Sequence, residues 1–316
     1  MKITMIEPIA VSEDLLNALA KSIRDKGHEV QLCTAPLSPE EKQSRIKGAD
    51  AIIIANSPLP AEWVENAPNL KMISVAFTGI DHVPGDACKS KNVLVSNAQG
   101  YATIAVRDLV FGLIFACMRN MKPCDLVVRE GGTKDGLVGD EIDGKVLGIV
   151  GYGAIGQAVA YVAKAFGCEV LAYSRSKKPG SSDGTANFVS FDDVLAKSDI
   201  ISLHTPLTGE TKHMIGHDEL KKMKQTAILI NTARGPVVDS KALAEALNAG
   251  TIAAAGIDVF DIEPPLNMDE PLLSAKNAVL MPHIGFATKQ SMVKRAHIVF
   301  DNVIGWLDGK PQNVKI

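Results

Sequence analysis

The glycine-rich segment at residues 151–156 constrains the fold of this chain more than any other feature. Its sequence, Gly-Tyr-Gly-Ala-Ile-Gly, directly follows a buried-strand pattern at residues 146–150 and precedes a helical pattern of small and apolar residues. A G-x-G-x-x-G turn between a strand and a helix is typical of a βαβ unit that binds a dinucleotide. The segment therefore predicts a parallel α/β domain with a dinucleotide site at this turn.

The positions of the turn have separate physical roles. Gly151 permits the tight turn, Gly153 lets a pyrophosphate approach the backbone, and Gly156 lets the helix pack closely on the strand. The N–H groups of Ala154 and Ile155 lie in the first turn of the predicted helix, where they have no intrahelical partner. We expect them to face the phosphates at the positive end of the helix dipole.

Strand-like apolar runs alternate with helical patterns along most of the chain, which predicts βα units and parallel sheets. With 316 residues, the chain has room for two domains. We predict the α/β class with two doubly wound parallel-sheet domains, a Rossmann cofactor domain and a flavodoxin-like substrate domain. The predicted strands lie at residues 3–6, 30–33, 51–55, 72–77, 93–95, 146–150, 170–173, 200–203, 227–230, 252–257 and 278–280.

The mid-chain position of the glycine-rich turn predicts a discontinuous domain boundary. Residues 99–287 should form the dinucleotide-binding domain. Residues 1–98 and 288–316 should form the substrate domain, because a helical pattern at 288–307 follows the last strand and is expected to cross back. The pattern at 101–120 is apolar on all sides, which predicts a helix buried between domains or in a subunit interface. A homodimer is the expected assembly.

Composition argues against several classes of function. The formal net charge is −3 with both signs dispersed, which provides no basic surface for nucleic acid or an anionic membrane. The most apolar stretch, residues 109–118, is shorter than the ~20 residues of a membrane span, so a buried helix is expected there. The five cysteines form no Cys-x-x-Cys pair and are expected to be reduced thiols in a cytoplasmic protein. No metal site is expected.

The segment after the second strand of the dinucleotide unit bears on the choice of cofactor. NAD-binding proteins place an acidic residue about 20 positions after the first glycine, where it binds the ribose hydroxyls. Here the strand at 170–173 is followed by Ser174, Arg175 and Ser176, then two lysines, and by no carboxylate. Serine hydroxyls and an arginine fork suit a 2′-phosphate. The sequence therefore favours NADP(H), with NAD(H) as the alternative cofactor.

Three segments near the C-terminus each follow a strand-like run and together provide an arginine, a glutamate and a histidine. They are Asn-Thr-Ala-Arg-Gly at 231–235, Asp-Val-Phe-Asp-Ile-Glu-Pro at 258–264 and Pro-His-Ile-Gly at 282–285. Because ligands bind at the carboxyl ends of parallel strands, we expect these side chains to meet at one edge of the sheet.

The three side chains suit the chemistry of a 2-keto acid. Arg234 can pair with a substrate carboxylate and polarise the adjacent keto oxygen. His283 can donate a proton during reduction and accept it in the reverse reaction. Glu263 is its expected partner, because a nearby carboxylate stabilises an imidazolium. We predict that these three residues are catalytic.

In order and spacing, these motifs resemble those of the D-isomer-specific 2-hydroxyacid dehydrogenases, in particular glyoxylate/hydroxypyruvate reductases. The resemblance covers essentially the whole chain, beginning with the Phe-Thr-Gly-Ile-Asp-His segment at 77–82. It implies that the backbone N–H groups of Thr78 and Gly79 hold the substrate carboxylate. Arg107 departs from the family pattern, which usually has a small residue at that position. The resemblance also implies cofactor contacts from Val106, His204, Thr205, Pro206, Thr232, Ala233 and Asp258, with Asp258 near the nicotinamide amide.

The predicted function is hydride transfer between NADP(H) and a small 2-keto or D-2-hydroxy acid, such as glyoxylate or hydroxypyruvate. One alternative is an NAD-dependent phosphoglycerate-type dehydrogenase, although the length leaves no room for the regulatory domain of the common long form. Another alternative, of a different class, is a non-enzymatic nucleotide-sensing corepressor. A turnover assay with NADPH and glyoxylate distinguishes an enzyme from a corepressor.

Overall fold

The computed structural model describes residues 1–263 and 265–316. The chain divides into two compact units. Unit 1 comprises Met1–Ala102 and Ala287–Ile316, and unit 2 comprises Thr103–Phe286. The sequence predicted boundaries at 98/99 and 287/288. In the structure, residues 99–102 and 287 belong to unit 1 and not to the dinucleotide-binding unit. The shift at 99–102 has a physical cause, because Tyr101 packs edge-on against the ring of Phe77 in unit 1.

Both units alternate strands and helices in chain order. Short 3₁₀ helices occur at Gly235–Val237 and Pro271–Ser274. The strands are β1 (Lys2–Met5), β2 (Glu29–Gln31), β3 (Ala51–Ile54), β4 (Met72–Val75), β5 (Leu94–Asn97), β6 (Val146–Val150), β7 (Glu169–Tyr173), β8 (Asn187–Phe188), β9 (Ile200–Leu203), β10 (Ile228–Asn231), β11 (Ala254–Ile257) and β12 (Ala278–Leu280). The helices are α1 (Glu13–Arg24), α2 (Pro39–Lys47), α3 (Ala61–Glu65), α4 (Gly85–Ser90), α5 (Thr103–Met118), α6 (Met121–Arg129), α7 (Ala154–Ala165), α8 (Phe191–Lys197), α9 (His217–Lys222), α10 (Ser240–Ala249) and α11 (Lys289–Leu307).

Unit 1 contains a five-stranded parallel sheet in the order β2-β1-β3-β4-β5. This is the flavodoxin-like order, as predicted. Strands β3 and β4 are buried along their whole length, which is typical of a parallel sheet covered by helices on each side. Helix α11 belongs to this unit and packs against β4, β5 and α1. Two side-chain hydrogen bonds fasten it, from Ser74 to Val299 O and from Asn302 to Asn97 O, each at 2.9 Å.

Unit 2 contains a seven-stranded parallel sheet in the order β12-β11-β10-β9-β6-β7-β8. Counted within the unit, this is the Rossmann order 3-2-1-4-5-6 with one further strand at the edge, so the predicted fold class is confirmed. Helix α5 packs against β10, β11, β12 and α7. The predicted burial of this helix is confirmed for Val110, Leu113 and Ile114, and it arises within unit 2 itself.

Local sequence signals explain several element boundaries. A capping box begins α2, with Glu41 N donating to Ser38 Oγ at 3.2 Å and Ser38 N donating to Glu41 Oε2 at 2.8 Å. Asp239 caps α10, and Gly250 ends it in the left-handed conformation at φ 71°. Within the described residues, no helix combines the length and the apolar character needed to cross a membrane.

Candidate active site

The predicted site residues of unit 2 follow the carboxyl ends of neighbouring parallel strands, apart from Val106 on the first turn of α5. Pro264, the last residue of the predicted segment 258–264, lies outside the described residues. Because all the strands are parallel, the loops after them emerge at one edge of the sheet. The dinucleotide turn follows β6, Ser174–Ser176 follow β7, and His204–Pro206 follow β9. Thr232–Arg234 follow β10, Asp258 and Glu263 follow β11, and His283 follows β12.

The dinucleotide turn has the close packing that its glycines predict. Gly151 has a φ of 98°, and a Cβ there would lie 2.5 Å from the carbonyl oxygen of His204. A Cβ on Gly156 would collide with the carbonyl oxygen of Gly151. By contrast, a Cβ on Gly153 would meet no described atom within 4 Å. The turn is therefore tight on the protein side and open beside Gly153.

The loop after β7, which is predicted to bind the cofactor ribose, lies close to a charge that the local sequence does not indicate. Ser174 Oγ and Ser176 Oγ lie 3.2 Å apart and can hydrogen-bond. The guanidinium of Arg175 donates to the carboxylate of Glu210, which lies in the loop after β9. A carboxylate thus reaches Arg175 from 35 residues away in sequence. No local pattern in the chain indicates this pairing.

His204 is unsuited to act as an acid near neutral pH. Its Nε2 atom lies 2.9 Å from Ser202 Oγ, and its backbone N–H donates to Val150 O at 2.7 Å. Burial lowers the pKa of the imidazole to about 4, so the ring is neutral at pH 7. The segment continues through Thr205 to Pro206, whose carbonyl accepts a hydrogen bond from a nearby threonine. His204 therefore supports the dinucleotide turn through its backbone.

Asn231 shapes the loop that carries Arg234. Its side-chain Nδ2 donates to Arg234 O at 2.9 Å, and its Oδ1 accepts from Ala233 N at 3.0 Å. The half-buried Arg234 side chain donates to Ala233 O at 2.7 Å. Gly235 is required next, because a Cβ there would collide with the backbone of Phe260. Asn231 belongs to the predicted Asn-Thr-Ala-Arg-Gly segment, and asparagine side chains tend to hydrogen-bond to nearby backbone, so the sequence itself indicated this role.

Glu263 and His283 form the predicted pair. His283 Nδ1 lies 2.9 Å from Glu263 Oε2, and the two side chains are 35% and 45% exposed. Because Nδ1 faces the carboxylate, Nε2 is the nitrogen left to carry a transferable proton. The ring of Phe286 contacts the imidazole edge-on with centroids 5.6 Å apart. The pair thus has a fixed orientation and solvent access.

Asp258 organises the histidine loop. Its Oδ1 accepts from Ile284 N at 2.7 Å and its Oδ2 from Gly285 N at 2.8 Å. His283 N donates to Asp258 O at 2.8 Å. Burial raises the pKa of the Asp258 carboxyl, against the lowering effect of these two N–H donors and of His283. A Cβ on Gly285 would lie 3.7 Å from Cγ2 of Val106, which places the predicted apolar residue beside this loop.

The residues of unit 2 fit a dinucleotide cofactor. Helix α7 begins at Gly153 without a side-chain cap, so its first N–H groups are available to phosphates. Thr232 Oγ1 is buried and has no hydrogen-bond partner among the described residues. A buried hydroxyl without a partner is costly, and a ligand would satisfy it. In the described part of the chain, no cluster of three or more metal-ligating side chains occurs.

Thr78 and Gly79 lie in unit 1, in the loop after β4. Asn97 Nδ2 donates to Thr78 O at 2.6 Å, and Ala98 N donates to Phe77 O at 3.0 Å. The guanidinium of buried Arg295 lies 4.9 Å from the centre of the Phe77 ring. The loop is therefore firmly held by its own unit.

Arg107, whose role the sequence left open, pairs in unit 2 with its neighbour Asp108 at 2.6 Å.

Comparisons with known proteins agree with this fold. The family model described as D-isomer specific 2-hydroxyacid dehydrogenase, NAD binding domain, matches residues 111–285. The chain is 42% identical over 303 residues to a glyoxylate reductase of Thermococcus litoralis, covering 92% of this chain and 91% of that protein. It is 41% identical over 297 residues to a glycerate dehydrogenase of Methylorubrum extorquens, with 91% and 92% covered. A solved acyclic imino acid reductase in complex with NADPH and D-Arg is 30% identical, with 100% of both chains covered and a TM-score of 0.90.

These similarities extend over both units and, together with the site, define an oxidoreductase that uses a nicotinamide cofactor. The chain belongs to the D-isomer-specific 2-hydroxyacid dehydrogenase family and acts on the CH–OH group of its donor. Because both sequence relatives bear the names of enzymes, the catalytic interpretation holds over the corepressor alternative. The names glyoxylate reductase and glycerate dehydrogenase also favour the main prediction over a phosphoglycerate-type dehydrogenase.

Proposed function

We propose that this protein reduces a small 2-keto acid, glyoxylate or hydroxypyruvate, to the D-2-hydroxy acid and prefers NADPH to NADH. The observation that carries the proposal is the 2.9 Å pair of Glu263 and His283, at the same sheet edge as Arg234 and the dinucleotide turn. A cation and an oriented acid at one edge are the groups that reduction of a 2-keto acid requires.

His283 provides the proton in this proposal. When bound, the reduced nicotinamide supplies the hydride to the keto carbon. The Nε2–H of His283 donates its proton to the developing alkoxide, and Glu263 stabilises the imidazolium before transfer through Nδ1. In the oxidative direction, neutral His283 accepts the hydroxyl proton through the same atom.

Arg234 binds and orients the substrate. Its planar guanidinium can pair with the substrate carboxylate and also donate to the adjacent keto oxygen. Positive charge at the keto oxygen stabilises the negative charge that develops there in the transition state. As the family resemblance implies, we also propose that the backbone N–H groups of Thr78 and Gly79 in unit 1 bind the substrate carboxylate.

The loop after β7 supports the preference for NADPH. Ser174, Arg175 and Ser176 are the first residues after the strand, and the two serine hydroxyls lie 3.2 Å apart. A charge-assisted hydrogen bond to a 2′-phosphate contributes ~1.5–3 kcal/mol, so a single one corresponds to a preference of about tenfold or more.

A keto-acid panel with both cofactors tests the proposal directly. We expect glyoxylate and hydroxypyruvate to be reduced with a kcat/KM about tenfold or more higher with NADPH than with NADH. The combined substitution Ser174→Asp with Arg175→Ala should move the preference toward NADH, because it replaces a phosphate site with a ribose-binding carboxylate. An equal or larger kcat/KM with NADH in the unmodified enzyme would contradict the cofactor assignment.

We also propose a homodimer in the cytoplasm. The five cysteines are all free, which supports a reducing compartment. Exposed apolar side chains occur on α6 and in the loop after it, with Val138 86% exposed, and a second copy would bury them. Sedimentation velocity should show a dimer that Val138→Asp weakens and the control Val293→Asp on α11 leaves intact. A monomeric unmodified protein would contradict this assembly.

A further inference from the structure

Arg175 and Glu210 link the two loops that border the dinucleotide turn. In the sheet of unit 2, β6 lies between β7 and β9, and its carboxyl end continues into the turn. Arg175 follows β7, and Glu210 lies in the loop after β9. Their ion pair therefore joins the loops on either side of the turn. The side chains of Arg175 and Glu210 remain 66% and 73% exposed, so both are accessible to a ligand.

The backbone around Glu210 is held independently of Arg175. Thr211 Oγ1 donates to Pro206 O at 2.6 Å, and Thr208 N donates to Thr211 Oγ1 at 2.8 Å. Lys212 N also donates to Thr208 O at 3.0 Å. These bonds close a turn around Glu210 without using its side chain. The negative charge consequently stays near this place when Arg175 changes partner.

We propose that Glu210 is a specificity-determining residue, which lowers the preference for NADP(H) by competing with the 2′-phosphate for Arg175. This inference rests on the proposed binding of the 2′-phosphate by Arg175. A phosphate and a carboxylate that share one guanidinium repel each other, so NADP(H) binds at the expense of the Arg175–Glu210 pair. The 2′-hydroxyl of NAD(H) is uncharged and leaves the pair intact.

The size of the effect follows from the exposure of the pair. Exposed ion pairs are weak, so removal of the Glu210 charge should improve NADPH binding by about three- to fivefold at low ionic strength. NADH binding should change by less than about twofold, because a neutral ribose neither competes with nor repels Glu210. The gain should shrink as salt rises, because both charges are exposed and screened.

Glu210→Gln tests the inference because it removes the charge and keeps the size of the side chain. Dissociation constants for NADPH, NADH and adenosine 2′,5′-bisphosphate should be measured for this variant, Arg175→Ala, the double variant and the unmodified enzyme. Glu245→Gln is a matched control, because Glu245 is an exposed glutamate that pairs with His217 in the same unit. Among the single variants, we expect tighter binding of NADPH and the bisphosphate only in Glu210→Gln. In the Arg175→Ala background, Glu210→Gln should give a smaller gain in affinity.

The outcomes separate the inference from the function on which it rests. If Arg175→Ala weakens NADPH binding but Glu210→Gln leaves that binding unchanged or weaker, the competition is refuted while the cofactor preference stands. A result of that kind would make Glu210 a support that holds Arg175 in place. If Arg175→Ala leaves the ratio of NADPH to NADH affinity unchanged, Arg175 does not bind the 2′-phosphate, and the proposed role of Glu210 falls with it.

Discussion

His283 adopts a left-handed backbone conformation, with φ 55°. For a residue other than glycine this conformation costs on the order of 1–3 kcal/mol, and it persists only where neighbouring contacts enforce it. Here Asp258 enforces it, by accepting N–H donors from His283, Ile284 and Gly285. The sequence predicted the pair of His283 and Glu263 but not this role of Asp258, because the bonds join residues 26 and 27 positions apart.

His283→Asn should lower kcat for glyoxylate reduction by roughly 10²–10⁴-fold, because asparagine cannot transfer a proton. The cofactor dissociation constant should remain close to that of the unmodified enzyme, since the dinucleotide turn is untouched. His217→Asn provides the matched control, because His217 also faces a glutamate, Glu245 at 3.7 Å, on the exposed side of α9. Turnover of His283→Asn at the rate of the control would end the assignment of His283 as the acid.

Glu263→Ala should lower kcat for glyoxylate reduction by roughly 10–10²-fold, because His283 loses the carboxylate 2.9 Å from its Nδ1 that orients the ring. Glu263→Gln keeps a hydrogen-bond acceptor in the same place and should retain more of the activity. The measurement is kcat for glyoxylate reduction with NADPH in both variants, with Glu245→Ala, at an exposed glutamate that faces His217, as the control. Turnover of Glu263→Ala at the rate of the control would contradict a positioning role for Glu263.

At the scale of the element, substitutions at Gly153 and Gly156 should affect different properties, cofactor binding in the first case and stability in the second. Gly156→Ala should lower the unfolding temperature, because its Cβ collides with Gly151 O and overpacking costs ~1–3 kcal/mol. Gly153→Ala should leave the unfolding temperature unchanged, because its Cβ meets no described atom within 4 Å. Gly153→Ala should still weaken cofactor binding by about tenfold or more, because a charge-assisted contact to the pyrophosphate is lost.

Thermal unfolding without cofactor and fluorescence titration with NADPH measure the two effects of these glycine variants separately. If Gly153→Ala binds NADPH as tightly as the unmodified enzyme, the pyrophosphate does not approach the backbone at Gly153. A lower unfolding temperature for Gly153→Ala would instead show that the folded protein does not tolerate a methyl group at this position.

Every strand with an apolar run was predicted, three of them to the residue and the others to within two residues at each end, whereas two other elements were not predicted. The predicted bounds of β6, β9 and β12 are confirmed. Strand β8 has only two residues, which is too short for a period-2 pattern, and it is defined by its pairing with β7. Helix α6 contains Pro123, normally a helix breaker. The proline lies in the first turn, where its missing N–H has no intrahelical role.

At the scale of the whole molecule, unit 1 depends on the end of the chain. The periodicity at residues 288–307 predicted a helix, but nothing in the following residues indicated how they pair. Val95 N donates to Ile316 O at 2.9 Å, and Asn97 N donates to Asn313 O at 3.1 Å. These bonds continue the hydrogen bonding of β5 with a segment that has no strand pattern of its own. Such long-range pairing is set by tertiary structure, so a local pattern could not reveal it.

Unit 2, by contrast, is continuous in sequence, and its large apolar cluster lies entirely between Val150 and Leu280. An isolated fragment of residues 103–286 should therefore fold and bind NADPH, with Gly153→Ala in the same fragment as the control that loses binding. It should reduce glyoxylate at least about 10²-fold more slowly than the full chain. The reason is that Thr78 and Gly79, proposed to hold the substrate carboxylate, belong to unit 1. Circular dichroism, NADPH titration and kcat/KM measure the three properties, and turnover at the full-chain rate would contradict a substrate role for unit 1.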